Sequence, residues 1–173
     1  CGVGHHAITY VKVMGDSLAD SGTFGLKFTV QGSAATGAGS TPIWPELVAS
    51  GVGADGLCAF YRFTGTGFNT SAGCTNYAIG GGRINNFTAP TSPVSITQQL
   101  ANAGAVGYGA GDLLLADGGG NDAAEEFWQR FFGGRAPRGL LDVMATAAAW
   151  QWAAGAAWRD GATAVAGGTT VQY

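Results

Sequence analysis

Three times along this chain a short apolar, β-type run ends abruptly in a turn containing glycine. Ile8 to Met14 runs into Gly15-Asp16-Ser17, Thr75 to Ile79 into Gly80-Gly81-Gly82, and Asp112 to Ala116 into Asp117-Gly118-Gly119. The last run, Asp112-Leu113-Leu114-Leu115-Ala116, is apolar without alternation after its first residue, as a strand covered on both faces must be. Helix signals fall between the runs. Thr41-Pro42 and Pro45-Glu46 are alternative helix starts ahead of Leu47-Val48-Ala49, with Gly51 and Gly53 as the stop. Ser95-Ile96-Thr97-Gln98 has the form of a capping box, and Ile96 with Leu100 makes an i, i+4 apolar pair behind it. Asn121 or Asp122 is the expected cap of a helix reaching Phe132, with Glu125 and Glu126 in its first turn.

After a Gly/Pro/Arg loop over 133–139, an alanine-rich helix is expected from Leu140 to about Arg159, then a weak fourth strand from Ala162 to Ala166. The alternation βαβαβαβ predicts an α/β fold, a three-layer sandwich whose parallel sheet carries helices on both sides. Open sheets of this kind bind ligands beyond the carboxyl ends of their strands. All three glycine turns therefore belong on one functional edge.

At 173 residues the chain suits one domain and is short for two, and no internal repeat or linker divides residues 1–173. Only 11% of residues are charged and the net charge is −3, with eight Lys and Arg scattered along the length. That argues against nucleic acid as a partner and against charge-driven membrane binding. No apolar run approaches the roughly 20 residues of a membrane-spanning helix. The 31 glycines gather in polar loops such as Gln31 to Ser40, a composition common in exported bacterial proteins.

Cys58 and Cys74 flank Gly65 to Gly73, a Gly/Thr/Asn-rich stretch with little capacity to form a core of its own. They are expected to pair as a disulfide, which implies an oxidising compartment; two separate buried thiols are the alternative. Cys1-Gly2 matches the start of a bacterial lipoprotein after signal cleavage, whose cysteine carries a lipid anchor, and equally an arbitrary chain boundary.

The three turns also carry chemistry. Acyl transfer by serine needs a hydroxyl, a base and donors for the tetrahedral oxyanion. Gly15-Asp16-Ser17-Leu18 resembles the first block of the SGNH/GDSL serine esterases and lipases. Asn76-Tyr77-Ala78-Ile79-Gly80-Gly81-Gly82-Arg83 is similar to their second block, and Gly119-Gly120-Asn121-Asp122 to their third. The resemblance covers roughly residues 9 to 130, includes Trp44-Pro45-Glu46-Leu47-Val48, and is nearest to secreted proteobacterial esterases. It implies a flavodoxin-like hydrolase fold without cofactors, secreted or held in the periplasm or at the outer membrane. It also implies Ser17 as nucleophile and an oxyanion hole built from the Ser17 and Gly80 N–H groups, with Gly81 as the substitute for Gly80, and the Asn121 amide. The substrate would be a small-molecule, lipid or sugar ester.

The family's fourth block, Asp-x-x-His, is missing. The only histidines, His5 and His6, precede the first strand and are expected to be bystanders. The chain is therefore expected to be a C-terminally incomplete domain, inactive as a fragment, whose base lies beyond Tyr173. The competing expectation is a non-catalytic ligand-binding protein, or an inactive remnant of the same fold. Trp150, Trp152 and Trp158 are expected to serve helix packing. Gly51-Val52-Gly53-Ala54-Asp55-Gly56 fits a dinucleotide fingerprint in letters but follows a helix instead of a strand, so it fails its context. Asp117, Asn121, Asp122, Glu125 and Glu126 are explained by helix capping and a solvated turn without a metal, and the sequons at Asn69 and Asn86 carry little meaning here.

Overall fold

The computed structural model describes residues 7–29, 32–54, 56–84 and 86–125, together with strand backbone at 163–166 and 169–170. Cys1, His5, His6, the 126–132 part of the expected third helix, the 133–139 loop, the expected 140–159 helix and its three tryptophans lie outside the described residues.

The described part is a mixed α/β unit organised on β1 (Tyr10–Met14) and β4 (Asp112–Ala116), which pair in parallel from Tyr10↔Asp112 to Met14↔Ala116. Strand β5 (Thr163–Ala166) joins β4 in parallel, and β6 (Thr169–Thr170) folds back antiparallel on β5. The run expected as a second strand, 75–79, lies along the other side of β1. Val13 N–H donates to Thr75 O at 3.0 Å, Tyr77 N–H to Val13 O at 2.7 Å and Ile79 N–H to Gly15 O at 3.2 Å. Only Asn76 forms a ladder pair, with Val13. The ladder stops there because Gly15 N–H, which would continue it by donating to Tyr77 O, donates instead to the Gln99 side chain, 2.8 Å from its Oε1.

Helix α1 (Trp44–Gly51) and helix α2 (Ile96–Val106) belong to different core clusters. Val11, Val13, Leu113 and Leu115 meet Ala49, Trp44 and Val48 of α1. Met14, Leu114, Tyr77 and Ile79 meet Ile96 and Ala103 of α2. The period-2 alternation of strand side chains thus feeds two cores from one sheet. Every residue of β4 is buried, as its unbroken apolar character required.

Of the two alternative starts for the first helix the structure uses Pro45-Glu46, whereas the capping box expected for the second does not form. Ser95 is the N-cap of α2 but makes no capping bond; its hydroxyl pairs with Thr97 Oγ1 at 2.8 Å. The presumed box partner, Gln98, bonds Asn102 instead, at 2.7 Å. At α1, Glu46 closes half a box by accepting the Ile43 N–H at 3.0 Å, and it also pairs with buried Lys27 at 2.8 Å.

The cysteine-flanked stretch is more ordered than its composition suggested. It forms a hairpin of β2 (Tyr61–Phe63) and β3 (Phe68–Thr70), with Cys58 and Cys74 joined as a disulfide at its base. Aromatic residues compensate for the glycines: Tyr61 is buried among Phe60, Phe68 and Tyr77. The bridge closes a loop with a separation of 16 residues. Replacing both cysteines with alanine is expected to lower stability by about 3 kcal/mol, read as the midpoint shift in urea unfolding. A loss below roughly 1 kcal/mol would mean that aromatic packing alone holds the hairpin.

Candidate active site

Ser17 lies just past the carboxyl end of β1, on a turn with little backbone freedom. Gln99, buried on α2, grips the peptide groups of Gly15 from both sides: Gly15 N–H donates to Gln99 Oε1 at 2.8 Å, and Gln99 Nε2 donates to Gly15 O at 3.1 Å. Asp16 N–H donates to Asp117 Oδ1 at 3.2 Å, and Asp16 Oδ1 accepts the Leu18 N–H at 3.0 Å. A Cβ at Gly15 would sit 1.8 Å from Asp117 Oδ1, so the missing side chain is what lets the Asp117 carboxylate lie against this loop and reach the Asp16 N–H. Ser17 itself is half-buried, and its hydroxyl has no protein hydrogen-bond partner among the described residues.

The 80–82 turn leans directly on this loop. A Cβ at Gly82 would lie 2.6 Å from Gly15 O and 3.1 Å from Asp16 Cα, so the close approach again requires glycine. The three amides of the turn have different fates. Gly80 N–H donates to Asp20 Oδ2 at 2.8 Å, and Gly82 N–H to Ile79 O at 2.9 Å. The Gly81 N–H has no protein acceptor among the described residues. The expectation that Gly80 supplies an oxyanion donor therefore meets a competitor: a fully buried carboxylate already holds that N–H. Asp20 also accepts the Gly22 and Thr23 N–H groups at 2.9 and 2.7 Å, so it ties the serine loop to the glycine turn. The substitute, Gly81, presents the free amide.

Asn121 joins the two loops to the third. Its Nδ2 donates to Gly82 O at 2.9 Å and lies 3.5 Å from Asp16 Oδ2. Neither Asn121 nor Asp122 is the helix cap. The helix begins at residue 120, and Ala123 N–H donates to Gly119 O at 2.9 Å, which leaves both side chains free for longer-range contacts. Asp122 Oδ2 uses that freedom to accept the Ile84 N–H at 3.0 Å. Glu125 pairs with Arg83. A cleft of about 380 Å³ opens here, lined by Gly81, Arg83, Asn121, Ala124 and Glu125.

The structure thus brings Ser17, the glycine turn and Asn121 to one edge, linked through Asp16. It brings no imidazole to them, since the described residues include no histidine. Sequence reasoning overlooked Gln99 and Asp20, and it read Asp117 as part of a solvated turn, whereas its carboxylate is largely buried and accepts the Asp16 N–H. Gln99 had a legible signal, being a polar residue on the buried stripe Ile96, Gln99, Ala103. A polar side chain on a core-facing stripe calls for a partner.

Asp117 sits beneath the serine loop in a difficult environment. Burial, followed by the negative charge of Asp16, raises its pKa from 3.8 to about 6, against the opposing hydrogen bonds from Asp16 N–H and the Trp44 indole. An acid whose folded pKa exceeds its unfolded value destabilises the fold only when ionised. The cost is absent below about pH 3.8, grows as pH rises toward 6, and is complete above that. Asp117→Asn keeps an acceptor for Asp16 N–H, and is expected to add about 1–2 kcal/mol at pH 8 after allowance for solvent screening. At pH 3.5 it should add nothing. Urea midpoints at the two pH values check this, and an equal gain at both would remove ionisation as the cause.

No helix among the described residues is long and apolar enough to cross a membrane. No family model matches the chain, and no curated protein matches it either.

Proposed function

We propose that the chain belongs to a serine ester hydrolase of the SGNH/GDSL type, acting on carboxylic esters through an acyl-serine intermediate. The observation that carries this is the convergence at Asp16. Its backbone neighbours Ser17, its Cα abuts Gly82, and its carboxylate faces Asn121, so three motifs far apart in sequence meet at one strand edge. Two sheet-covering helices and the parallel β1–β4–β5 order support the corresponding layered fold.

In the proposed reaction the Ser17 Oγ attacks the ester carbonyl while its proton passes to a base. The carbonyl oxygen becomes an oxyanion held by the Ser17 N–H, the Gly81 N–H and the Asn121 amide. Collapse breaks the bond to the alcohol oxygen, which leaves with a proton, and water then releases the acid from the serine. The base is a histidine outside the described residues. Gly80 acts by positioning, through its bond to Asp20. The disulfide supports export to an oxidising compartment.

The test is hydrolysis of p-nitrophenyl acetate by the full-length protein and by its Ser17→Ala counterpart. Serine-dependent release of p-nitrophenol supports the proposal. Equal rates from the two proteins would leave a binding pocket without turnover.

A further inference from the structure

The turn that carries the proposed oxyanion donor has two sides of opposite character. On the Gly81 side is the cleft with Arg83 and Glu125, charged and open to water. On the Gly80 side are phenylalanine rings. The Phe28 ring edge comes within 2.7 Å, and that of Phe24 within 3.2 Å, of the point where a Gly80 Cβ would be. Phe24 in turn meets Phe63 of the hairpin in a tilted contact and Phe68 edge to face, with centroids at 5.3 and 6.3 Å. Phe63 N–H bonds Thr23 O at 2.9 Å, which fastens the hairpin to the loop bearing Phe24.

These rings do not complete a core. Phe24, Phe28 and Phe63 remain 37%, 45% and 41% exposed. Scattered exposed apolar residues are ordinary, but a contiguous group against a functional turn marks a place where apolar surface is meant to be covered.

We infer that Phe24 and Phe28, backed by Phe63 and Phe68, form the platform for the acyl chain of the substrate, so the site favours medium-chain fatty acyl esters over acetates. This rests on the proposed esterase function. The assignment to the acyl arm follows from the order of events. The alcohol must leave toward water, which the charged cleft admits, whereas the acyl group stays attached to Ser17 through both steps and gains from an apolar support throughout. Because Gly80 has no side chain, the rings reach the backbone of the turn, and a chain lying on them starts next to the oxyanion site.

The experiment compares kcat/KM for p-nitrophenyl octanoate and p-nitrophenyl acetate, below the micellar range of the octanoate. It uses the full-length protein and its Phe28→Ala and Phe28→Leu variants, each first checked by thermal melting. The wild-type protein is expected to prefer octanoate. Phe28→Ala should lower the octanoate-to-acetate ratio about tenfold while acetate hydrolysis stays within about twofold, and Phe28→Leu should restore most of the ratio. A ratio unchanged in Phe28→Ala, or a wild-type preference for acetate, overturns the inference. So does a Phe28 dependence that appears with octyl acetate but not with ethyl octanoate, since the platform would then serve the alcohol. If no ester shows Ser17-dependent hydrolysis, the esterase proposal itself fails and the acyl platform falls with it; retained acetate hydrolysis separates the two failures.

Discussion

Ser17→Ala is expected to lower kcat/KM for p-nitrophenyl acetate by about 10⁴- to 10⁶-fold while leaving the unfolding midpoint nearly unchanged. The size follows from removing the only atom that forms the covalent intermediate, since donors left in place can still polarise a carbonyl but have nothing to deliver. The separation from stability follows from the loop. Gly15 is gripped by Gln99, Asp16 by Asp117, and Leu18 N–H by Asp16, while the Ser17 hydroxyl bonds to no described residue. Losing it therefore leaves no partner stranded, and the stability change should stay within about 0.5 kcal/mol. Parallel activity and thermal-melting measurements decide the matter. A large drop in melting temperature together with the lost activity would show that the hydroxyl is structural and remove the reason for assigning it chemistry.

Strands β1 and β4 were legible because each is a mostly apolar run that ends in a glycine-containing turn, and Asp112–Ala116 coincides with its sequence-based bounds. The convergence of Ser17, the 80–82 turn and Asn121 was legible too, because parallel strands deliver their carboxyl ends to one edge. The means of holding that edge was not. Gln99 acts on Gly15 from 84 positions away, and Asp117 on Asp16 from 101. No local window contains such pairs. The engagement of the Gly80 amide was hidden for the same reason. Which amide of a glycine triplet is free depends on Asp20, 60 positions upstream, whose carboxylate takes the first of them. Thr75–Ile79 was legible as an extended segment but not as an interrupted ladder, since the interruption comes from the Gln99 side chain, 84 positions from Gly15, taking the Gly15 amide. The hairpin was hidden by composition. Its glycines dominate the stretch, while its stability resides in Phe60, Tyr61 and Phe68 and in a disulfide that pins both ends.

Asn121→Ala should have the second-largest effect, a fall in kcat of about 10²- to 10³-fold, equivalent to about 2.7–4 kcal/mol in the barrier, with KM little changed. A side-chain amide has two N–H donors. Gly82 O takes one at 2.9 Å and so fixes the plane of the amide, whereas the contact to Asp16 Oδ2 is at the 3.5 Å limit and holds the second donor weakly. That second N–H is the one able to turn to an oxyanion. Because negative charge on the carbonyl oxygen develops only in the transition state, the loss should appear in kcat and not in binding. Removing the bond to Gly82 O costs stability as well, about 1 kcal/mol for one part-buried hydrogen bond. The kinetic and thermal effects therefore differ enough to be told apart. A rise in KM with kcat preserved would make Asn121 a brace for the Gly80–Gly82 turn, leaving the oxyanion to the backbone amides of Ser17 and Gly81 alone.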